Sequence, residues 1–290
     1  MNFLLYVLFV LLGALIPLFP LKFIQFTART KGKLFYYLLP IRKTTAISNL
    51  KLAFPEKSEE EIKNIVKGCY VNVLTVIAEF FYMRKLSVEK LHRLLKVKNI
   101  ELMREKLKHG KGLIMISGHF GNWELTAYGV SKMLNIPFNV IVKEQTNKRV
   151  NEGINNIRTS GGNRMIDMRN SLREILTVLK SNGIVAMLGD QSAPKENVKV
   201  KFFVEGVPAY EGTARIAIKT GAEVMFGVST RNPDGTYLLE LHEIDISKYK
   251  ESTEENVKAL TQAHVDLLAE FIKLRPDHWL WFHRRFKNVV

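Results

Sequence analysis

From about Val97 onward, short apolar runs rich in β-branched residues alternate with stretches at helical spacing. Few folds accept that pattern. Leu113-Ile114-Met115-Ile116 reads as a buried strand, as do Phe138 to Val142, Ile184 to Leu188 and Val224 to Val228, with a further strand from Tyr237 to Leu241. Between them Leu125 to Leu134, Val150 to Thr159, Ser171 to Leu179 and Thr213 to Thr220 read as helices. Thr253 to Leu274 reads as a long closing helix that Arg275-Pro276 ends. Strands alternating with helices imply an α/β fold, a central and largely parallel sheet flanked by helices. In such sheets the chemistry belongs in the loops that follow the carboxyl ends of the strands.

Ahead of this region, Met1 to Leu21 contains no charged side chain. About 20 apolar residues in a helix reach across a bilayer's hydrocarbon core, so the expectation is an N-terminal membrane-anchoring helix that spans or lies embedded. A cleaved signal peptide wants a basic residue before the apolar run and a small-residue cleavage site after it, and neither is present. Lys22, Arg29, Lys31, Lys33, Arg42, Lys43 and Lys51 follow with no acidic residue among them. Basic residues flank the cytoplasmic side of a membrane segment, so the expected location is the cell inner membrane, with the catalytic domain on the cytoplasmic side. The whole chain carries 43 Lys+Arg against 28 Asp+Glu, a net +15, and such a surplus implies an anionic partner. The apolar run selects a membrane over nucleic acid, and the aromatic-basic interleaving of RNA platforms is missing.

Ser58 and Glu61 form a capping box. The helix it opens carries Ile62, Ile65, Val66, Cys69, Val73, Ile77 and Phe80 at 3.6-residue spacing. Cys69, the single cysteine, falls on this stripe and reads as a buried, inert thiol. The chain then divides into 1–37, an anchor and basic juxtamembrane helix; 38–95, a helical segment packing on the core or the membrane; and 96–290, the α/β domain.

After the strand Leu113 to Ile116 the chain reads Ser117-Gly118-His119-Phe120-Gly121-Asn122-Trp123-Glu124. On one straight helix His119 and Glu124 would point about 140° apart, so they can cooperate only if the chain bends at Gly121-Asn122. Asn122 is a good N-cap, which sets Glu124 in the first helical turn, where the helix dipole favours its ionised form. A carboxylate bonded to one imidazole nitrogen fixes the tautomer and leaves the other nitrogen as a base. The expected catalytic pair is His119 and Glu124. Neither H-x4-E nor any other histidine grouping has metal-ligand spacing, so no metal or other cofactor is expected. Arg158, Arg164, Arg169 and Arg173 follow the second strand, and arginine forks suit phosphate. Asp190-Gln191 follows the strand Ile184 to Leu188, should share a sheet edge with His119 and is expected to orient substrate.

The order of these motifs resembles the bacterial lipid A acyltransferase family, which includes phosphatidylinositol mannoside acyltransferases. The likeness runs from Asn49-Leu50 and Phe54-Pro55-Glu56 through His119-Phe120 with Glu124, Arg158 with Gly161, Arg169 to Arg173, Asp190-Gln191 and Phe202-Phe203. It continues through Thr213 and Thr220-Gly221-Ala222 and closes on Trp281-Phe282-His283-Arg284-Arg285-Phe286-Lys287. The resemblance implies an acyl thioester donor, acyl carrier protein or CoA, and a hydroxyl acceptor on a membrane glycolipid such as a lipid A precursor. It also implies substrate contacts for Arg158 and Arg169. Many lipid A enzymes have Arg-Pro where this chain has Lys143-Glu144 and a second acidic residue where Ser192 stands; these positions, Lys143 included, are expected to touch the acceptor. Another polar glycolipid or phospholipid is the alternative acceptor. A non-enzymatic basic protein suits the charge but leaves the apolar run and the His119 loop without a purpose.

Overall fold

The computed structural model describes residues 2–289; Met1 and Val290, which bound the outer two sequence-assigned segments, lie outside them. The chain opens with helices α1 (Asn2–Leu15), α2 (Leu21–Leu38), α3 (Lys43–Ala53), α4 (Glu59–Tyr82) and α5 (Val88–Leu94). Strand β1 (Leu95–Lys98), helix α6 (Ile100–Lys108) and strand β2 (Leu113–Ser117) follow, then α7 (Trp123–Leu134), β3 (Phe138–Val142), α8 (Lys148–Thr159), β4 (Arg164–Asp167), α9 (Ser171–Lys180) and β5 (Ile184–Leu188). A hairpin of β6 (Lys199–Phe202) and β7 (Val204–Pro208) leads to α10 (Gly212–Thr220), β8 (Glu223–Arg231), β9 (Tyr237–Glu243) and α11 (Glu254–Leu274).

Seven strands form one sheet in the order β1-β9-β8-β2-β5-β3-β4. The pairings β2–β5, β2–β8, β3–β5 and β3–β4 are parallel, β9 runs antiparallel to β8, and β1 is parallel to β9. The expected parallel sheet is therefore the five strands from β8 to β4, with two reversed strands at one edge. Side chains alternate between its faces. On one face Ile114, Ile116, Val185, Val224 and Phe226 pack with α3, the first half of α4, α11 and the C-terminal tail. On the other, Leu113, Met115, Ile184 and Met225 pack with α5, α7 and Phe80 and Phe81 of α4. Both faces are covered, which is why β2 and β5 read as continuous apolar runs rather than alternating ones.

The N-terminal run differs from a single spanning helix. Pro17 and Pro20 break it: α1 ends at Leu15, one 3-10 turn follows, and α2 starts at Leu21. Fourteen residues of α1 rise only about 21 Å, short of the ~30 Å hydrocarbon core. Among the described residues one helical stretch is long and apolar enough to cross, Glu59–Lys85, and 56% of its apolar window is buried inside the protein. It is a core helix. Its capping box is formed as the sequence implies, Ser58 accepting from Glu61 N and Glu61 bonding back. Ile62, Val66, Cys69 and Phe80 are buried, and burial pushes the Cys69 thiol up, out of nucleophilic range; Ile77 faces outward. The α2 helix lies so close along α4 that a Cβ at Gly32 would meet the Val71 Cα at 2.5 Å.

Candidate active site

The loop after β2 bends where the sequence implies. Gly121 has φ +59°, and a Cβ there would fall 1.6 Å from the Ser229 carbonyl oxygen of β8; only glycine passes that point. Asn122 then caps α7, its Oδ1 accepting from Leu125 N at 2.9 Å. Glu124 stands in the first turn.

The carboxylate that meets the His119 ring is not Glu124. Asp190 holds that position: its Oδ1 lies 2.8 Å from His119 Nδ1, and its Oδ2 accepts from His119 N at 2.7 Å and from Trp279 Nε1 at 2.7 Å. The pairing comes from topology. β2 and β5 are parallel neighbours with Ser117 beside Leu188, so the residues two past each strand end meet at the same sheet edge. Asp190 is 5% exposed. Burial alone would raise its pKa, but the His119 charge and the bonds from His119 and Trp279 outweigh it, leaving the carboxyl at about 2. The His119 pKa is raised although burial opposes it, because Asp190, then Glu124, favour the imidazolium and outweigh the adverse charge of Arg158.

With Nδ1 on the carboxylate, Nε2 is the nitrogen that points away from Asp190. It faces the Gln191 side-chain amide at 3.4 Å, and the ring packs edge-on to Trp123 with centroids 5.2 Å apart. The sequence reading gave Asp190 and Gln191 a substrate-orienting role; the structure sets both directly on the imidazole. Glu124 instead binds the Arg158 guanidinium in a two-pronged ion pair, Nε to Oε2 at 2.9 Å and Nη2 to Oε1. Two of the five N–H groups of Arg158 are thereby engaged, leaving three to donate. Arg158 is thus a partner of Glu124 rather than a free phosphate clamp. Arg169, 66% exposed, binds Asp167 and Glu144, and it too lacks a free fork. Lys143 is exposed just past the end of β3. Ser117 is no nucleophile, since its hydroxyl donates to the Gly227 carbonyl at 2.6 Å.

A second layer fixes this loop. Glu79 of α4, 2% exposed, accepts from Gln25 Nε2 and Asn122 Nδ2, both at 2.7 Å, from the Tyr237 hydroxyl, and from Arg231 Nη2 at 3.4 Å. Asn72 Nδ2 donates to the carbonyls of Gly121 and His278, and its Oδ1 accepts from Arg231. The tail straps the loop from the other side through Gly121 N to His278 O and Leu280 N to His119 O, both at 3.0 Å. Sequence reasoning missed Asn72, Glu79, Arg231 and Trp279. Asn72 and Glu79, seven apart among apolar residues, carried the one usable signal: polar groups on a buried helix face.

The model of the bacterial lipid A biosynthesis acyltransferases matches residues 2–288. The chain belongs to that family. It is 26% identical over 267 residues to the lipid A biosynthesis lauroyltransferase of Escherichia coli (strain K12), covering 89% of this chain and 83% of that one. Similarity to the palmitoleoyltransferase of the same organism is 24% over 250 residues, 85% of this chain and 79% of the relative. A phosphatidylinositol mannoside acyltransferase from Mycolicibacterium smegmatis (strain ATCC 700084 / mc(2)155) is 25% identical over 206 residues, 69% of this chain and 65% of its own. The expected H-x4-E residues stand as two separate pairs, His119–Asp190 and Glu124–Arg158.

Proposed function

We propose that this acyltransferase moves a fatty acyl group from an acyl-carrier-protein thioester to a hydroxyl of a lipid A precursor at the cytoplasmic face of the inner membrane. The observation that carries the proposal is an imidazole whose Nδ1 is held by a buried carboxylate, with Nε2 turned the other way to a long 3.4 Å contact with Gln191. Nε2 takes the proton of the acceptor hydroxyl as its oxygen attacks the thioester carbonyl. The tetrahedral intermediate then collapses, and the proton goes to the departing thiolate. Asp190 fixes the tautomer and stabilises the imidazolium between the two steps. The Arg158 guanidinium, aimed by Glu124, puts fixed positive charge near the ring, suited to the oxyanion. No nucleophilic side chain and no cofactor takes part.

The lipid A acceptor is carried over from the lauroyl- and palmitoleoyltransferase relatives. The mannoside acyltransferase relative supports the second reading, a glycosylated phospholipid. Lipid mass spectrometry of a strain lacking the protein, complemented with wild type or with His119→Ala, tests both. The missing acyl group identifies the acceptor. His119→Ala should restore none of it while accumulating to the wild-type level in membranes. Restoration above about one part in a hundred excludes general-base catalysis by His119, which is worth about 10²–10⁴-fold.

A further inference from the structure

Arg158 and Arg169 each already hold carboxylate partners; a second group of cations, without such partners among the described residues, lies near the site. Arg42, Thr45, His283, Arg284 and Lys287 line one hollow between the start of α3 and the C-terminal tail. Three of these are cations, and among the described residues none of the three has a carboxylate within ion-pair distance. The hollow is built rather than incidental. Asn49 of α3 donates to the carbonyls of Trp281 and His283 at 2.8 and 2.7 Å, and Arg42 donates to Phe282 O at 3.2 Å. Arg42 takes the left-handed conformation, φ +55°, to start α3, and no side chain caps that helix. His283, on the opposite wall, has a buried Nδ1 without a hydrogen-bond partner.

Its position is tied to the catalytic carboxylate. Ser192, two residues past Asp190, donates to the carbonyls of Arg284 and Arg285 at 2.7 and 3.0 Å. One wall of the hollow is therefore bonded to the segment that carries Asp190. Two flexible cationic arms, a third from α3, a hydroxyl and a ring nitrogen suit a compact group with several acceptor oxygens.

We propose that this hollow is a phosphate site, binding a phosphate mono- or diester of one of the two reactants while its acyl or hydroxyl end reaches His119. The proposal rests on the acyl-transfer reading only for which molecule carries the phosphate. Inorganic phosphate is the first probe, titrated into the full-length protein in detergent at physiological ionic strength and read by ³¹P line broadening and by the shift in Tm. Wild type should bind. Arg284→Gln combined with Lys287→Gln should weaken binding roughly ten- to a hundredfold, whereas Lys258→Gln, on exposed α11 surface, should leave it unchanged. If the double variant is itself unstable, Arg42→Gln, on a different element, decides by the same measurement. Equal phosphate affinity in wild type and in both the double variant and Arg42→Gln overturns the site, whatever the protein acylates. Kinetics then name the source. A raised KM for a phosphopantetheine thioester but not for an N-acetylcysteamine thioester, which has no phosphate, assigns the donor arm. A raised KM for a phosphorylated acceptor but not for its dephosphorylated form assigns the headgroup.

Discussion

The residue that most changes the chemistry is Asp190. The proposed base, His119, must be neutral to accept a proton, so the rate should rise with pH through its pKa. Burial favours the neutral ring, yet Asp190 holds the pKa above its ordinary value, about 6.5 in an unperturbed histidine. In Asp190→Asn the acid limb of the kcat/KM profile should move to lower pH, while the plateau falls about 10²–10⁴-fold as the tautomer is lost. An acid limb that stayed in place would mean that Asp190 does not set the His119 titration. His119, the Gly121 bend and the Asn122 cap were all legible in sequence, because each depends on its immediate neighbours. The partner of His119 was not. Glu124 is five residues away and Asp190 is seventy-one, and the latter wins only because β5 lies beside β2.

At the scale of elements, α4 is the strut that ties α2 to the loop carrying His119. Glu79 collects bonds from α2, the α7 cap, β8 and β9. Glu79→Gln leaves Arg231, 7% exposed, without its buried counter-charge, and breaking such a pair costs about 3–5 kcal/mol. Chemical denaturation should show a loss of that size, with the midpoint lowered at unchanged slope. A change below about 1 kcal/mol would mean that Arg231 finds another partner. The long apolar strands and periodic helices were legible from their patterns. The four-residue strands β1 and β4 were not, since Leu95–Lys98 and Arg164–Asp167 are too short and too charged to show a period. The β6–β7 hairpin hid for another reason: Phe203 turns it with φ +62°, a conformation that phenylalanine sequence does not advertise.

For the whole molecule, the apolar surface lies on α1 and α2. Leu4, Leu8, Leu11 and Leu15 form an exposed stripe on α1, and Phe23, Phe26, Tyr37 and Leu38 are exposed on α2. Part of the basic stretch bonds to the protein itself: Lys22 and Arg29 donate to the carbonyls of Asp234 and Pro233 in the β8–β9 turn. We expect the protein to lie in one leaflet, with α1 immersed alongside it, rather than to cross the bilayer. Replacing Leu4, Leu8 and Leu11 by Ser, which disturbs no core contact, removes about 1.5–3 kcal/mol of apolar burial per leucine. The variant should move largely to the soluble fraction on vesicle flotation, and salt should release the remainder. Flotation equal to wild type would locate the anchor elsewhere. The strap from the tail has a consequence in time. Asp190 gains its indole bond only when Trp279 arrives, long after α1 and the His119 loop have left the ribosome. A chain cut before that tryptophan loses the indole donor and leaves Asp190 Oδ2 to the His119 amide.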